Sequence, residues 1–258
     1  MTAMVAHSAH ISVRHLRAIA RQPWYLAITL VQPVIWLLLF GQLFKQVAEL
    51  PGFTTGSYIA FLTPGIVVMT ALFSNGWAGM GFIQDIDRGV LDRMLVSPAR
   101  RGSLIAGQLG YQAVTTVIQS LVILGLGFIA GARFHGGPPA VALFLLCTVL
   151  LGTAFAALSD AFALLIRKEE SVIAAVQFLV LPLSFLSTIF MPAGLVPPWI
   201  QEVARYNPVN WAVEAGRQTL ESDVDWGLLL SRTGMLLAVA AVMGWLATRA
   251  FRSYQRSV

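Results

Sequence analysis

Charge is what this sequence has least of. Only 11% of its 258 residues are Asp, Glu, Lys or Arg, against 57% hydrophobic ones, and the mean hydropathy is +0.74. A water-soluble domain carries roughly a quarter charged residues to hydrate its surface, so the main solvent of this chain is lipid. Cysteine is nearly absent as well: Cys147 stands alone in an apolar run, which excludes an intrachain disulfide framework and reads as a small buried hydrophobe. No Gly-x-x-x-x-Gly-Lys-Ser/Thr sequence occurs, so the phosphate-cradling loop of a P-loop ATPase is missing. Histidines are few, with His7, His10 and His15 near the N-terminus and His135 in a short connection. They form no metal-ligand spacing, and no metal site is expected. A membrane enzyme acting on lipids would need acids, histidine or serine clustered at one depth, and no such cluster is visible.

What the sequence does have is long apolar runs. A hydrocarbon core about 30 Å thick takes about 20 apolar residues in a helix, because lipid leaves open backbone groups unsatisfied. Six runs qualify, at 24–44, 58–83, 103–131, 139–166, 172–191 and 226–249. The first is too long for a cleaved secretory signal and ends without a small-residue cleavage site. The expected fold is an all-α membrane protein with six transmembrane helices in one domain spanning 1–258. An amphipathic helix over 1–23 precedes five spans within 24–191, an external re-entrant segment covers 192–225, the sixth span follows at 226–249, and 250–258 is a tail.

The net charge of +5 and the pI near 9.9 do not mark a nucleic-acid binder, because the basic residues sit in short clusters between apolar runs. Arg14, Arg17 and Arg21 precede the first run, Arg88, Arg93, Arg100 and Arg101 follow the second, Arg167 and Lys168 follow the fourth, and Arg249, Arg252 and Arg256 follow the sixth. The opposite connections hold only Lys45, Arg133, Arg205 and Arg217. By the positive-inside rule both termini are cytoplasmic.

Three segments carry more than hydropathy. Arg14, Arg17 and Arg21 recur at helical spacing opposite Val13 and Leu16, the pattern of a helix lying on an anionic leaflet; Pro23 then ends it. The loop over 84–102 mixes both charge signs with an apolar stripe of Val90, Leu91, Met94 and Leu95, and Pro98 terminates it. Such a face packs either on the protein's own spans or on a partner. After the fifth run, Pro192, Pro197, Pro198 and Pro208 interrupt the backbone, leaving two short helical pieces, one with Trp199 before Asn207-Pro208 and one with Trp211 after Asn210, a good N-cap. Broken backbone at membrane depth needs protein or water around it, so a re-entrant hairpin is expected here.

In this order, these segments resemble the type-2 ABC transporter permease family, and within it the daunorubicin-resistance-like drug exporters. The resemblance rests on Tyr-x-x-Phe-Leu-x-Pro-Gly at 58–65, on Asp-x-Gly-x-x-Asp-Arg-x-x-x-x-Pro at 87–98, and on Asn-Pro-Val-Asn-Trp-Ala-Val-Glu at 207–214. It implies a permease in the cell membrane that pairs with a second copy of itself, and whose complex engages two ABC ATPase subunits. ATP and Mg would bind those subunits, and this chain would bind no cofactor. Asp87, Gly89, Asp92, Arg93 and Pro98 match the ATPase-coupling loop, with Leu91 and Met94 on its apolar face; Pro192, Trp199, Asn207, Pro208 and Trp211 match the external re-entrant pair.

Asp160, inside the fourth run, matches no motif of the family. A carboxyl in a span is a pathway candidate, and Arg167 seven residues on offers it an ion pair instead. Arg232, in the outer part of the last run, poses the same choice, with Glu214, Glu221, Asp223 and Asp225 as candidate partners on the outer face. Two other transport readings stand beside the exporter of amphipathic, drug-like or lipid-like molecules: an ABC exporter of a lipid-linked glycan, and an ion-coupled secondary transporter using Asp160. The second would call for inverted repeats, and none is evident.

Overall fold

The computed structural model describes residues 23–49, 53, 57–87 and 102–255. Among them there is no strand, and nine α-helices follow one another. α1 covers Pro23–Leu43, α2 Tyr58–Gly76, α3 Met80–Asp87, α4 Gly102–Ile129, α5 Gly137–Ile166, α6 Glu169–Phe185, α7 Pro198–Tyr206, α8 Pro208–Arg217 and α9 Trp226–Gln255. The expected basic helix with Arg14, Arg17 and Arg21 lies outside the described residues, as do Gly89, Leu91, Asp92, Arg93, Met94 and Pro98 of the expected coupling loop.

Four stretches are long and apolar enough to cross a membrane: Tyr58–Gln84, Gly107–Ile129, Gly137–Ile166 and Trp226–Phe251. The chain is thus a multi-pass helical membrane protein. The apolar part of α1, Ala27–Leu43, is shorter, and α6 has only 17 residues, so the six runs do not all become full-length spans. Large apolar side chains such as Ile35 and Leu39 on α1, Phe178 and Phe185 on α6, and Leu237 and Trp245 on α9 are exposed. In a lipid solvent that is their favourable side.

α2 is the buried centre. Nearly every residue from Tyr58 to Leu72 is covered, and α1, α4 and α5 pack around it. Small residues set the spacing. α5 runs along α9 through Ala157, Ala161, Ala247 and Ala250, the close approach that substitutes for a hydrophobic drive when lipid is the solvent. Gly152 of α5 leaves room for Asn75, whose Nδ2 would lie 2.7 Å from a Cβ there. That amide donates to Ala71 O and to Thr116 Oγ1, both at 2.8 Å, and so ties α2 to α4.

The second apolar run is broken at Trp77–Gly79. α2 stops at Gly76 and α3 restarts at Met80, because glycine lets the chain lie directly on α5. The Gly79 N–H donates to Ser159 Oγ at 3.1 Å, and a Cβ on Gly79 would collide with the Ser159 carbonyl oxygen.

The fifth run also ends early. Helix was expected to 191, yet α6 stops at Phe185. A helix end leaves carbonyls without partners, and here side chains from distant sequence supply them. Asn207 Nδ2 donates to Leu183 O and Leu186 O at 2.7 and 2.8 Å, while its Oδ1 caps α8 through Val209 N. Asn210 Oδ1 accepts from both Thr188 N and Thr188 Oγ1. The Tyr58 hydroxyl donates to Phe190 O at 2.9 Å. Arg217, stacked 4.0 Å above the Phe61 ring, donates to Thr188 Oγ1 and Thr188 O. The two asparagines of Asn-Pro-Val-Asn thus close the end of α6, and proline at the first position of α8 needs no N–H.

Two predictions follow from this packing. Gly79→Ala forces backbone against backbone and should destabilise the purified chain by about 1–3 kcal/mol, whereas Gly125→Ala, with nothing within 4 Å of its Cβ position, should leave the thermal unfolding midpoint in detergent unchanged. Asn207→Leu strips two part-buried carbonyls of their donors and should cost about 1–3 kcal/mol, read as a lower unfolding midpoint in the same assay.

Candidate functional site

Between α1, α2, α3 and α4 lies a cavity of about 740 Å³. Its walls follow from helical periodicity. On α4, Gln108, Gln112, Thr115 and Gln119 recur at i, i+4, i+7 and i+11, one continuous face of a helix. α1 contributes Ile28, Gln32 and Trp36 at i, i+4 and i+8, and α2 contributes Ile66, Thr70 and Phe73. The turn that follows α2 adds Trp77, α3 adds Met80, Phe82 and Gln84, and α6 reaches in with Gln177. A primary amide is costly in hydrocarbon, so a row of them belongs on a face turned inward toward polar partners or water.

Six of the chain's twelve glutamines line this space: Gln32, Gln84, Gln108, Gln112, Gln119 and Gln177. They are graded in depth. Gln32 and Gln84 are exposed at the rim, Gln108 and Gln177 are half-buried, and Gln112 and Gln119 are buried at the base. The Gln119 amide nitrogen donates to Thr29 Oγ1 at 3.2 Å, bridging α4 to α1, while its carbonyl oxygen is buried without a hydrogen-bond partner. Thr70 and Thr115 return their hydroxyls to their own helices, to Ile66 O and Tyr111 O, so they present methyl groups and little free polarity. No charged side chain is among the described residues of the lining.

At one end the cavity meets an aromatic layer. Trp36 lines the cavity and also packs on Phe40 and Phe190, with ring centroids 4.9 and 5.7 Å apart. From there the stack continues through Phe44 and Tyr58 to Phe61. This layer sits where the backbone after α6 is held by Tyr58 and Arg217. The opposite end is formed by α3, which lines the cavity with Gly81, Phe82 and Gln84 and ends at Asp87.

The residues singled out from sequence fall into three groups. Asp87 closes α3, at the start of the expected coupling loop. Asp160 is fully buried on α5, next to Ser159, and both of its carboxylate oxygens lack a hydrogen-bond partner. The ion pair with Arg167, one of the two alternatives for this carboxyl, is not formed; Arg167 ends α5 in a left-handed conformation, φ 56°, with its N–H on Ala163 O. Neither residue lines the cavity. Arg232 Nε lies 2.8 Å from Glu214 Oε2, and Glu214 Oε1 accepts from Asn210 Nδ2 at 2.9 Å, so this cation belongs to the network that holds α8.

In the segment after α6, Pro192 precedes a short 3₁₀ turn, Ala193–Leu195, and Trp199 is exposed on α7. Trp211 donates its indole N–H to Arg205 O at 2.6 Å, linking α8 back to α7, while Asn207 and Pro208 form the cap of α8. None of these residues lines the cavity. The glutamine face was not singled out from sequence at all, although the i, i+4, i+7, i+11 spacing of amides within an apolar run was there to find.

Comparison with known proteins agrees with this architecture. A family model described as ABC-2 type transporter matches residues 9–220. A transport permease of Pyropia yezoensis, ycf38, is 31% identical over 212 residues, covering 80% of this chain and 70% of its own. The daunorubicin resistance ABC transporter permease protein DrrB1 of Streptomyces coeruleorubidus is 28% identical over 244 residues, covering 93% of this chain and 84% of its own. The inner membrane transport permease YadH of Escherichia coli K12 is 26% identical over 198 residues, 73% of this chain and 74% of its own. A multi-pass helical chain matched over most of its length by that family, and over nine-tenths of it by a drug-resistance permease, belongs to the ABC-2 type transporter family, whose members are membrane permease subunits and not the ATPase.

Proposed function

We propose that this chain is the membrane half of an ATP-driven exporter that moves an amphipathic, drug-like or lipid-like molecule out of the cytoplasm. The observation that carries the reading is the amide-lined cavity, with an aromatic layer at one end and α3 at the other. A cavity of several hundred Å³ with apolar walls and a few polar groups is the usual form of a small-molecule site, and here it lies within a membrane bundle.

In this reading two copies of the chain pair in the cell membrane, with both termini cytoplasmic, and two ABC ATPase subunits bind ATP and Mg and supply hydrolysis. The chain crosses six times, with α1 and α6 as the shorter crossings, and α7 and α8 form a re-entrant pair on the outer face. The loop with Asp87, Gly89, Leu91, Asp92, Arg93, Met94 and Pro98 is the contact for the ATPase, and Arg14, Arg17 and Arg21 hold a surface helix beside it.

A coupling route is built into the chain. α3 forms part of the cavity wall and runs directly into that loop, so a displacement of the loop by ATPase closure moves Phe82 and Gln84. The Trp77–Gly79 turn is the hinge, because its backbone is pinned to Ser159 while α3 beyond it is a separate short helix. Such a two-state element is what a nucleotide-driven partner can bias. Opening past the aromatic layer then completes passage to the other side.

Two experiments test this reading. Co-expression with the ABC ATPase encoded beside this gene should yield a complex in which the permease stimulates ATP turnover, and Asp92→Ala together with Arg93→Ala should reduce that stimulation at least tenfold while both subunits stay in the membrane; a permease that neither binds the ATPase nor alters its turnover ends the proposal. The buried carboxyl of Asp160, having no hydrogen-bond partner, favours the ion-coupled alternative. Asp160→Asn should leave ATP-driven transport in proteoliposomes within about twofold of the parent without any ion gradient; transport that needs a proton or sodium gradient, and is lost in the variant, would favour that alternative.

A further inference from the structure

The cavity has mostly apolar walls set with amides, and its described lining carries no charge, a combination that selects among ligands. A glutamine amide offers two N–H donors and a carbonyl acceptor, so the six amides together present a mixed donor and acceptor lining with no net charge. The deepest of them is incomplete. Gln119 is 2% exposed, spends its nitrogen on Thr29, and leaves its carbonyl oxygen buried and unpaired inside the lining. A buried acceptor without a donor is unfavourable; this oxygen is sealed off in the structure, and a hydroxyl or N–H on a ligand would relieve it once the side chain turns toward the cavity. Facing the amides are the flat apolar surfaces of Trp36, Phe73 and Trp77, which suit a rigid apolar body. The volume of about 740 Å³ holds one drug-sized molecule.

A cation fares worse in such a place. Leaving water removes its hydration, and only an opposite charge with good geometry restores most of that loss. The described lining holds no carboxylate. Asp160 is not part of the wall, and Glu214 is engaged by Arg232 and Asn210. Aromatic faces attract cations, but they replace only a part of the lost hydration. An anion such as a lipid-linked diphosphate meets no Lys or Arg among the described residues of the lining either.

From this we infer that the cavity is a binding site for uncharged, multiply hydrogen-bonding amphipaths of drug size, and that it discriminates against cations of the same shape. The inference rests on the transport reading for its purpose, since it names the cargo class of that same cavity. Its chemistry stands on the six amides and the unpaired Gln119 oxygen.

The test uses a matched pair. Daunorubicin and its N-acetyl derivative share chromophore and sugar and differ in one protonated amine, so their fluorescence anisotropy can be titrated with the full-length chain in lipid nanodiscs. The N-acetyl compound should bind at least tenfold more tightly than the parent cation. Gln112→Leu and Gln119→Leu should each weaken its binding at least fivefold, while Leu181→Ala, on an exposed position of α6 outside the cavity, should not. Gln112→Glu should shift the preference toward the cation, a gain that a misfolded variant could not show. Equal or tighter binding of the cation by the parent chain, no saturable binding of either compound, or full binding by both leucine variants would overturn the inference. Failure to stimulate the ATPase would sink the transport reading and leave this binding result standing; preference for the cation would do the reverse.

Discussion

Lipid offers no hydrogen bonds, and the architecture is organised around that constraint. At two places among the described residues where the backbone leaves the helical pattern, a distant part of the chain supplies the missing partner. After α6 the donors and acceptors come from Asn207, Asn210, Tyr58 and Arg217, which reach across the bundle to the carbonyls and amide between Leu183 and Phe190. At the break between α2 and α3 the Ser159 hydroxyl accepts the Gly79 N–H. These two repairs fix the two ends of α2, the buried helix on which the cavity is built.

The same constraint places the glutamines. Six amides scattered over a lipid-facing surface would each be unfavourable, but gathered around one internal space they share a polar environment and can hydrate it. The cavity is therefore a consequence of where polar side chains are tolerated as much as a device for binding. Its two boundaries differ in kind. The aromatic layer from Trp36 to Phe61 is braced by the Arg217 stack and the capped α8, whereas α3 is a short helix joined by one turn. The mobile element in a transport cycle is thus expected on the α3 side, where the chain leads to the charged loop after Asp87.

Asp160 sits one residue from the serine that pins the turn, on the helix that packs most extensively against α9. A carboxyl is buried there without a hydrogen-bond partner, beside the α2–α3 turn instead of in the cavity.

Much of this was legible in the sequence. The apolar runs located α1, α4, α5 and α9 to within a few residues, since about 20 apolar residues in succession leave the backbone no alternative to helix. The prolines and asparagines after residue 190 marked a broken segment, because Pro cannot donate and Asn caps. The cavity and the early ends of α2 and α6 were decided only by the tertiary structure. Helix is the default in lipid until a distant side chain offers equal satisfaction, and the partners that end these helices lie 21 to 24 residues away for Asn207 and 80 residues away for Ser159. The face formed by Gln108, Gln112 and Gln119 is periodic in sequence, but whether it meets lipid, a neighbouring helix or an open space depends on how α1, α2 and α3 are placed against it.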